Sequence, residues 1–159
     1  MAARLRDINP DVDINIVSKY IHDEQLIEVY RSYDYLVDAI DTLSPKTFLL
    51  YYAIKSNLRV VSSMGAGGKL DPLQIRIDDI SKTYNCRLAR TLRERLRKHG
   101  VTTGIKAVFS TEIVDNELVI PCDEPNKKSI VGTISYIPAM FGCVCASVVI
   151  RDLIEDKNQ

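Results

Sequence analysis

The stretch "YLVDAIDTLSPKTFLLYYAIKSNLRVVSS" (35–63) decides the fold class, because it places a helix-like segment between two strand-like ones. "YLVDAI" (35–40) is the continuous apolar run typical of a strand buried in a parallel sheet. "PKTFLLYYAIKSN" (45–57) is predicted to be a helix, and "LRVVSS" (58–63) a second strand. This order predicts an α/β fold with a mostly parallel sheet.

The predicted helix in this unit has signals at both ends. Ser44 is expected to be its N-cap and Pro45 its first residue, and Asn57 is placed to end it. We expect one apolar face, formed by Phe48, Leu49, Tyr52 and Ala53.

The same patterns predict further elements along the chain. Strands are expected at 14–21, 73–80, 105–111 and 117–120, and helices at 23–33, 85–100 and 138–154. The first residues have helical composition that stops at Asn9 and Pro10, and a polar loop is expected at 121–129. With 159 residues, the chain has the length of a single domain, 1–159.

Composition limits the possible partners. Lys and Arg together number 21, as do Asp and Glu, so no overall charge attracts the chain to nucleic acid. Residues 129–150 carry no charge and have the length of a membrane span, but Gly132 and Pro138 interrupt them. We therefore expect a short strand or loop followed by a buried helix, and no stable membrane span.

The four cysteines do not predict a zinc site. None belongs to a C-x-x-C pair, and residues two apart in a helix, such as Cys143 and Cys145, point in different directions. We expect no structural zinc and interpret all four as small buried apolar residues: Cys86, Cys122, Cys143 and Cys145.

The segment "NCRLARTLRERLRKHG" (85–100) gives the clearest helix prediction. Leu88, Leu92 and Leu96 form its apolar stripe, and Gly100 suits its C-terminus. The other positions carry six cations against one acid, Glu94: Arg87, Arg90, Arg93, Arg95, Arg97 and Lys98. Such a face is either simply solvated or binds a polyanion such as RNA, and the residues alone leave both interpretations open.

Two short motifs are ambiguous. "GAGG" (65–68) is not followed by a helix, so it does not form a dinucleotide loop, and we interpret it as a structural turn or a close approach to a ligand. Asp38 and Asp41 lie where a strand ends and a helix begins. They either accept backbone amides in the turn or, for Asp41, hold Mg²⁺ on a nucleotide.

The order of these segments resembles the second half of the adenylating domain shared by the ThiF/MoeB/HesA proteins and the ubiquitin-activating enzymes. The matching stretches are "DINP" (7–10), "YLVDAIDTLSPK" (35–46), "GAGGKLDP" (65–72), "IDDISKT" (77–83), "LARTLRERLRKHGV" (88–101), "VFSTE" (108–112) and "FGCVCASVVIRDL" (141–153). Within that superfamily the likeness is strongest to the branch that dehydrates threonylcarbamoyladenosine in tRNA.

The resemblance implies a Rossmann-like three-layer fold and a cytoplasmic, homodimeric enzyme that uses ATP and Mg²⁺. It would adenylate and cyclise threonylcarbamoyladenosine in tRNA, with Asp41 as the catalytic and Mg²⁺-holding residue and with Ala39 and Ile40 beside the nucleotide. It also implies that tRNA contacts the basic helix at Arg87, Arg90, Arg93, Arg97 and Lys98.

The family's glycine-rich ATP loop is expected before Met1, so we expect this chain to be the C-terminal portion of a ThiF-type domain. It would then lack the N-terminal nucleotide-binding βαβ unit and be inactive by itself. Two alternatives stay open: activation of a ubiquitin-like or sulfur-carrier protein, and a catalytically dead fragment acting as a dimer or RNA-binding module. The absence of paired C-x-x-C motifs favours the dehydratase over carrier activation.

Overall fold

The structure, a computed structural model, describes residues 1–18, 30, 32–115, 118–121 and 129–156. Its helices are α1 (Ala2–Ile8), α2 (Leu43–Lys55), α3 (Arg87–Lys98) and α4 (Tyr136–Asp156). Its strands are β1 (Leu36–Asp38), β2 (Val60–Ser63), β3 (Ile75–Asp79), β4 (Lys106–Ser110), β5 (Val119–Pro121) and β6 (Ser129–Val131).

Four strands form the main sheet in the order β1-β2-β4-β3. The first three are parallel, with Val37 opposite Val61 and Ser62 opposite Ala107, while β3 runs antiparallel along β4. Strands β5 and β6 form a separate antiparallel pair. The predicted βαβ unit is therefore β1-α2-β2, and the mostly parallel sheet is confirmed.

Helices cover both faces of this sheet. Leu50 of α2 and Leu92 of α3 pack with Phe109 on one face, and α4 packs Phe141 against Val108 on the other. Neighbouring strand residues alternate between these two cores because successive side chains of a strand point to opposite faces. The three-layer α/β arrangement expected from the family resemblance is confirmed.

Helix α2 begins earlier than the sequence indicated. Its N-cap is Thr42, so Ser44 and Pro45 lie inside the first turn, and the predicted N-cap at Ser44 is wrong. Proline is tolerated there because the first amides of a helix lack intrahelical acceptors. The predicted face is also rotated, since Phe48 and Tyr52 are only half-buried. The buried residues are Pro45, Lys46, Thr47, Leu49, Leu50 and Ala53.

Two other predicted helix ends are confirmed. Asn57 follows α2 with φ of 54°, and Gly100 follows α3 with φ of 77°, both in the left-handed region. The amide of Leu58 then donates to the Ala53 carbonyl at 2.9 Å, and the amide of Val101 to the Leu96 carbonyl at 3.0 Å. These bonds satisfy carbonyl groups that would otherwise have no helical partner.

The start of the chain only partly matches its prediction. The first helix does end before Asn9 and Pro10, as expected. The strand predicted at 14–21 is wrong for 14–18, which have no strand pairing, and 19–21 lie outside the described residues. Most of the helix predicted at 23–33 also lies outside them, as does most of the polar loop at 121–129.

Helix α4 is buried along one side only. Ile137, Phe141, Cys145 and Val148 face the sheet, whereas the opposite side is exposed, including Ile150. The prediction of a buried helix is therefore half right, because nothing in the described chain covers its outer face. By length and composition Tyr136–Glu155 could cross a membrane; mostly buried core helices of soluble proteins also pass this test, but only 22% of the most apolar window of this helix is buried.

The end of α4 is anchored to the sheet by Asp152. Its carboxylate accepts hydrogen bonds of 2.6 Å from Lys106 Nζ of β4 and from Tyr35 Oη. Burial acts to raise the pKa of Asp152, but these hydrogen bonds outweigh it and hold the pKa below its usual range.

Candidate active site

A cleft of about 1600 Å³ opens at the carboxyl ends of β1 and β2. Its walls include the turn between β1 and α2, the turn after β2, residues 87–95 of α3, and part of α4. Ligands of parallel α/β sheets bind beyond the carboxyl ends of the strands, because the loops there leave an open edge. A single small ligand usually occupies a pocket of about 300–1,000 Å³, so this cleft is large enough for two small ligands bound at the same time.

Asp38 lies beneath the cleft and is buried. Its carboxylate accepts from the Ile40 amide at 3.0 Å and from Ser62 Oγ at 2.5 Å, and it forms an ion pair of 2.7 Å with Lys46. Both charged side chains are 0% exposed. Removing one partner of such a pair typically costs about 3–5 kcal/mol, because a buried charge is left alone. Asp38 therefore has the contacts of a structural carboxylate.

Asp41 differs from Asp38 because its carboxylate is exposed on the cleft wall. It accepts a hydrogen bond of 3.3 Å from Thr42 Oγ1, the side chain that precedes α2. Ala39 and Ile40 line the same wall. The structure thus brings together the three residues predicted to contact ATP, and their role stays a prediction.

The basic helix α3 forms the opposite wall of this cleft. Arg87, Arg90 and Arg93 line it, as predicted nucleic-acid contacts, whereas Arg97 and Lys98 are not among the lining residues. Among the described residues that line the cleft, Asp41 is the one acid and the cations are Lys69, Arg87, Arg90, Arg93 and Arg95. Lys69 is buried and Arg90 is paired with Glu94 at 3.2 Å, but the excess of positive charge over the single carboxylate still favours anionic ligands.

Arginine side chains also connect the walls of the cleft. Arg95 donates to Ser44 Oγ at 3.1 Å and so joins α3 to the first turn of α2. Arg93 donates to the Thr83 carbonyl at 2.8 Å and to the Thr83 hydroxyl. The bond of Arg95 places its guanidinium group near the start of α2, only a few residues after Asp41, whereas Arg93 is held to the segment before α3.

The "GAGG" turn closes another side of the cleft. Gly68 has φ of 68°, and a Cβ there would lie 2.6 Å from Val114 Cγ1. A Cβ on Gly67 would lie 3.0 Å from Val131 Cβ. The glycines are therefore needed for close packing against residues 114 and 131, which supports the interpretation as a structural turn.

Lys69, the next residue, is a buried cation on the cleft wall. Its ammonium donates to the Asn85 carbonyl at 3.2 Å and to the Glu112 carbonyl. Burial lowers the pKa of Lys69, against the opposing effects of Cys86 and Glu112. Lys69 therefore ties the turn to the segments before α3 and after β4.

The cysteines differ in exposure, so their shared prediction as buried residues is only partly right. Cys145 is buried, Cys86 is half-buried and Cys143 is exposed, while Cys122 lies outside the described residues. Burial raises the pKa of the Cys145 thiol, which disfavours the nucleophilic thiolate. No group of three or more His, Cys, Asp or Glu side chains that could hold a metal occurs in the described ranges.

A family comparison matches this chain over its whole length. The ThiF family model covers residues 1–159. The chain belongs to the ThiF family. The ThiF relatives it is similar to include the tRNA threonylcarbamoyladenosine dehydratases of Bacillus subtilis, 35% identical over 98% of this chain, and of Escherichia coli, 39% identical over 70%.

Solved ThiF structures also match. The E. coli tRNA N6-threonylcarbamoyladenosine dehydratase in complex with AMP has a TM-score of 0.85 and 32% identity, covering 99% of this chain. The same enzyme in complex with ATP has a TM-score of 0.83. The Rossmann-like ThiF fold and the likeness to the dehydratase branch are confirmed.

The chain spans less than two thirds of these relatives' length, namely 65% of the B. subtilis protein, 45% of the E. coli protein and 64% of the AMP complex.

Two contributors to the cleft were missed from the sequence. Lys46 occupies an apolar-face position of α2, since Leu49, Leu50 and Ala53 follow at helical spacing, and a lysine there signals a buried charge with partners. Arg95 has no comparable signal, because α3 contains arginines on several sides.

Proposed function

We propose that the protein containing this chain activates the threonylcarbamoyladenosine carboxylate of tRNA with ATP and then cyclises it. The carboxylate oxygen attacks the α-phosphorus of ATP, releasing pyrophosphate and leaving an acyl-adenylate. An internal nucleophile of the same nucleoside then attacks the acyl carbon, loses its proton and expels AMP. The oxygen leaves in AMP, so the nucleoside has lost one water overall.

The observation that carries this proposal is the shared position of Asp41 and the arginines of α3 on one cleft. The cleft is large enough for a nucleotide and a modified nucleoside side by side. Arg87 and Arg90 are exposed on the cationic wall, where they would attract the phosphate backbone of a tRNA. The names of the dehydratase relatives, and the ATP and AMP bound in solved structures of one of them, support the same assignment.

The residues present fit Mg²⁺ held through a nucleotide rather than a metal held by protein alone. Asp41 supplies one exposed carboxylate, and Mg²⁺ prefers one or two carboxylates together with phosphate oxygens. When bound, the ion would neutralise phosphate charge. Asp41 would hold it in place, while the arginines of α3 would orient the tRNA and keep its carboxylate beside the nucleotide.

The test measures both half-reactions in the full-length protein. ATP–pyrophosphate exchange that depends on modified tRNA reports adenylation, and mass spectrometry of the digested nucleosides reports the cyclic product. An Asp41→Asn variant is expected to lose exchange. If the native protein forms an adenylate on a carrier-protein C-terminus but never the cyclic nucleoside, the dehydratase proposal is refuted.

Three other expectations from the family resemblance stay predictions. They are the homodimer, the cytoplasmic location, and the inability of these 159 residues alone to use ATP. Exchange at the full native rate with this polypeptide alone would contradict the last of them.

A further inference from the structure

Lys46 uses its whole hydrogen-bonding capacity beneath the cleft. Its Nζ donates to Asp38 Oδ2 at 2.7 Å, to the Ile40 carbonyl at 3.0 Å and to the Ser63 carbonyl at 2.8 Å. An ammonium has three donors, so these three acceptors match them one for one. The side chain is 0% exposed and therefore does not itself contact a substrate.

The two carbonyl groups that Lys46 holds belong to different strand ends. Ser63 is the last residue of β2, and Ile40 lies two residues beyond β1. Lys46 thus joins the two backbone segments at the floor of the cleft. Its own amide also donates to the Thr42 carbonyl at 3.2 Å, so the residue holds the turn from 40 to 42 at two points.

Asp41 lies inside that turn. The peptide group that contains the Ile40 carbonyl also contains the Asp41 amide nitrogen, and this group is planar. Fixing the Ile40 carbonyl therefore fixes the backbone on the amino side of Asp41. Displacement of a reacting group by about 1 Å can cost about 100-fold in rate.

Asp38 alone does not provide this restraint. Its Oδ1 accepts from the Ile40 amide, and its Oδ2 accepts from Ser62. Neither bond reaches the Ile40 carbonyl or the Ser63 carbonyl. An asparagine at position 38 would keep an acceptor for the Ile40 amide, so the contribution of Lys46 can be separated from that of Asp38.

We propose that Lys46 is a positioning residue for adenylation, which acts by holding the backbone around Asp41 in the geometry that the cleft requires. This inference rests on the proposed function. It gives a functional role to the buried ion pair between Lys46 and Asp38. Stability alone explains such a pair poorly, because well-packed apolar residues often stabilise a fold as much as a buried ion pair does.

The test uses the full-length protein and the double variant Asp38→Asn/Lys46→Met. It leaves no unpaired buried charge and keeps the side-chain volumes. It removes the bonds to the carbonyls of residues 40 and 63, the ion pair between Lys46 and Asp38, and the hydrogen bond that Asp38 Oδ2 accepts from Ser62. The matched control is Ser62→Ala, which removes a buried hydrogen bond of Asp38 but leaves all three bonds of Lys46 in place. Far-UV circular dichroism of each variant checks that it is folded.

Two measurements are made on these proteins. Amide hydrogen exchange at residues 40–42 is expected to accelerate in the double variant and to stay close to native in Ser62→Ala. The maximal rate of tRNA-dependent ATP–pyrophosphate exchange is expected to fall about 100-fold in the double variant, with an unchanged KM for tRNA. A purely stabilising role would not separate the rate from KM in this way.

The outcomes distinguish this proposal from the proposed function. Native-like amide exchange at 40–42 in the double variant overturns the positioning role, and so does accelerated exchange with an unchanged adenylation rate. If the native protein shows no adenylation at all, the proposed function fails, and the positioning role for adenylation falls with it. Accelerated exchange together with a lower maximal rate and constant KM supports both.

Discussion

The substitution Gly68→Ala is expected to destabilise this fold for two separate reasons. Gly68 has φ of 68°, a left-handed conformation that costs about 1–2 kcal/mol for a residue with a Cβ. The added Cβ would also lie 2.6 Å from Val114 Cγ1, and overpacking of this kind typically costs about 1–3 kcal/mol. We therefore expect Gly68→Ala to lower the free energy of unfolding by about 2–5 kcal/mol.

A second glycine supplies the control for the first cost. Gly100 has φ of 77°, and a Cβ there would meet nothing within 4 Å. Gly100→Ala is expected to cost only the conformational term of about 1–2 kcal/mol. Equilibrium unfolding in guanidinium chloride, followed by far-UV circular dichroism, measures both variants against the native chain.

Val114 provides the control for the packing cost. Val114→Ala removes the methyl groups that the new Cβ would meet at 2.6 and 3.3 Å and leaves Val131 Cγ1 at 3.2 Å. In its presence Gly68→Ala should therefore cost less than it does alone. Equal destabilisation by Gly68→Ala and Gly100→Ala, with no coupling to position 114, would refute the close packing of the turn.

Three further predictions concern the site and the anchor of α4. Asp41→Asn should reduce adenylation by at least about 100-fold while leaving the unfolding free energy near native, because its carboxylate is exposed; pyrophosphate exchange and chemical unfolding check the two parts. Replacing Arg87 and Arg90 by Glu should weaken tRNA binding and make its affinity depend less steeply on salt concentration. Lys98→Glu lies outside the cleft and should change the affinity less, and filter binding at several salt concentrations measures both effects. Because the folded pKa of Asp152 is lowered, its stabilising contribution is complete above its unfolded pKa of about 3.9 and is lost as pH falls through the folded value. Asp152→Asn should therefore destabilise the chain at pH 7, and a penalty of equal size at pH 2 would contradict that assignment.

The fold was largely predictable because its central unit has strong local patterns. Each of these patterns involves residues only a few positions apart in the sequence. They are the apolar run at 35–40, the basic amphipathic helix at 85–100, and the helix-ending residues Asn57 and Gly100. The start of α2 was missed because Thr42 caps it without a side-chain hydrogen bond. The half-exposed state of α4 was missed because composition shows that a helix is apolar and does not show how many of its sides are covered.

The candidate site was predictable only where a residue type marks its chemistry. An acid after a strand and a row of arginines are visible in the sequence, so Asp41 and Arg87 were singled out. The contacts of Lys46 depend on backbone carbonyls at residues 40 and 63, which any sequence would supply. Only the folded chain brings these carbonyls together around one ammonium.

The burial of two lysines has a practical consequence for chemical labelling. Lys46 is 0% exposed and Lys69 is 2% exposed, so neither amine is accessible to acylating reagents or to trypsin while the chain is folded. Surface lysines should react at once, and these two only when the region around the cleft opens. The rate at which they are modified, measured by mass spectrometry, would therefore report how often the cleft floor and the glycine turn open.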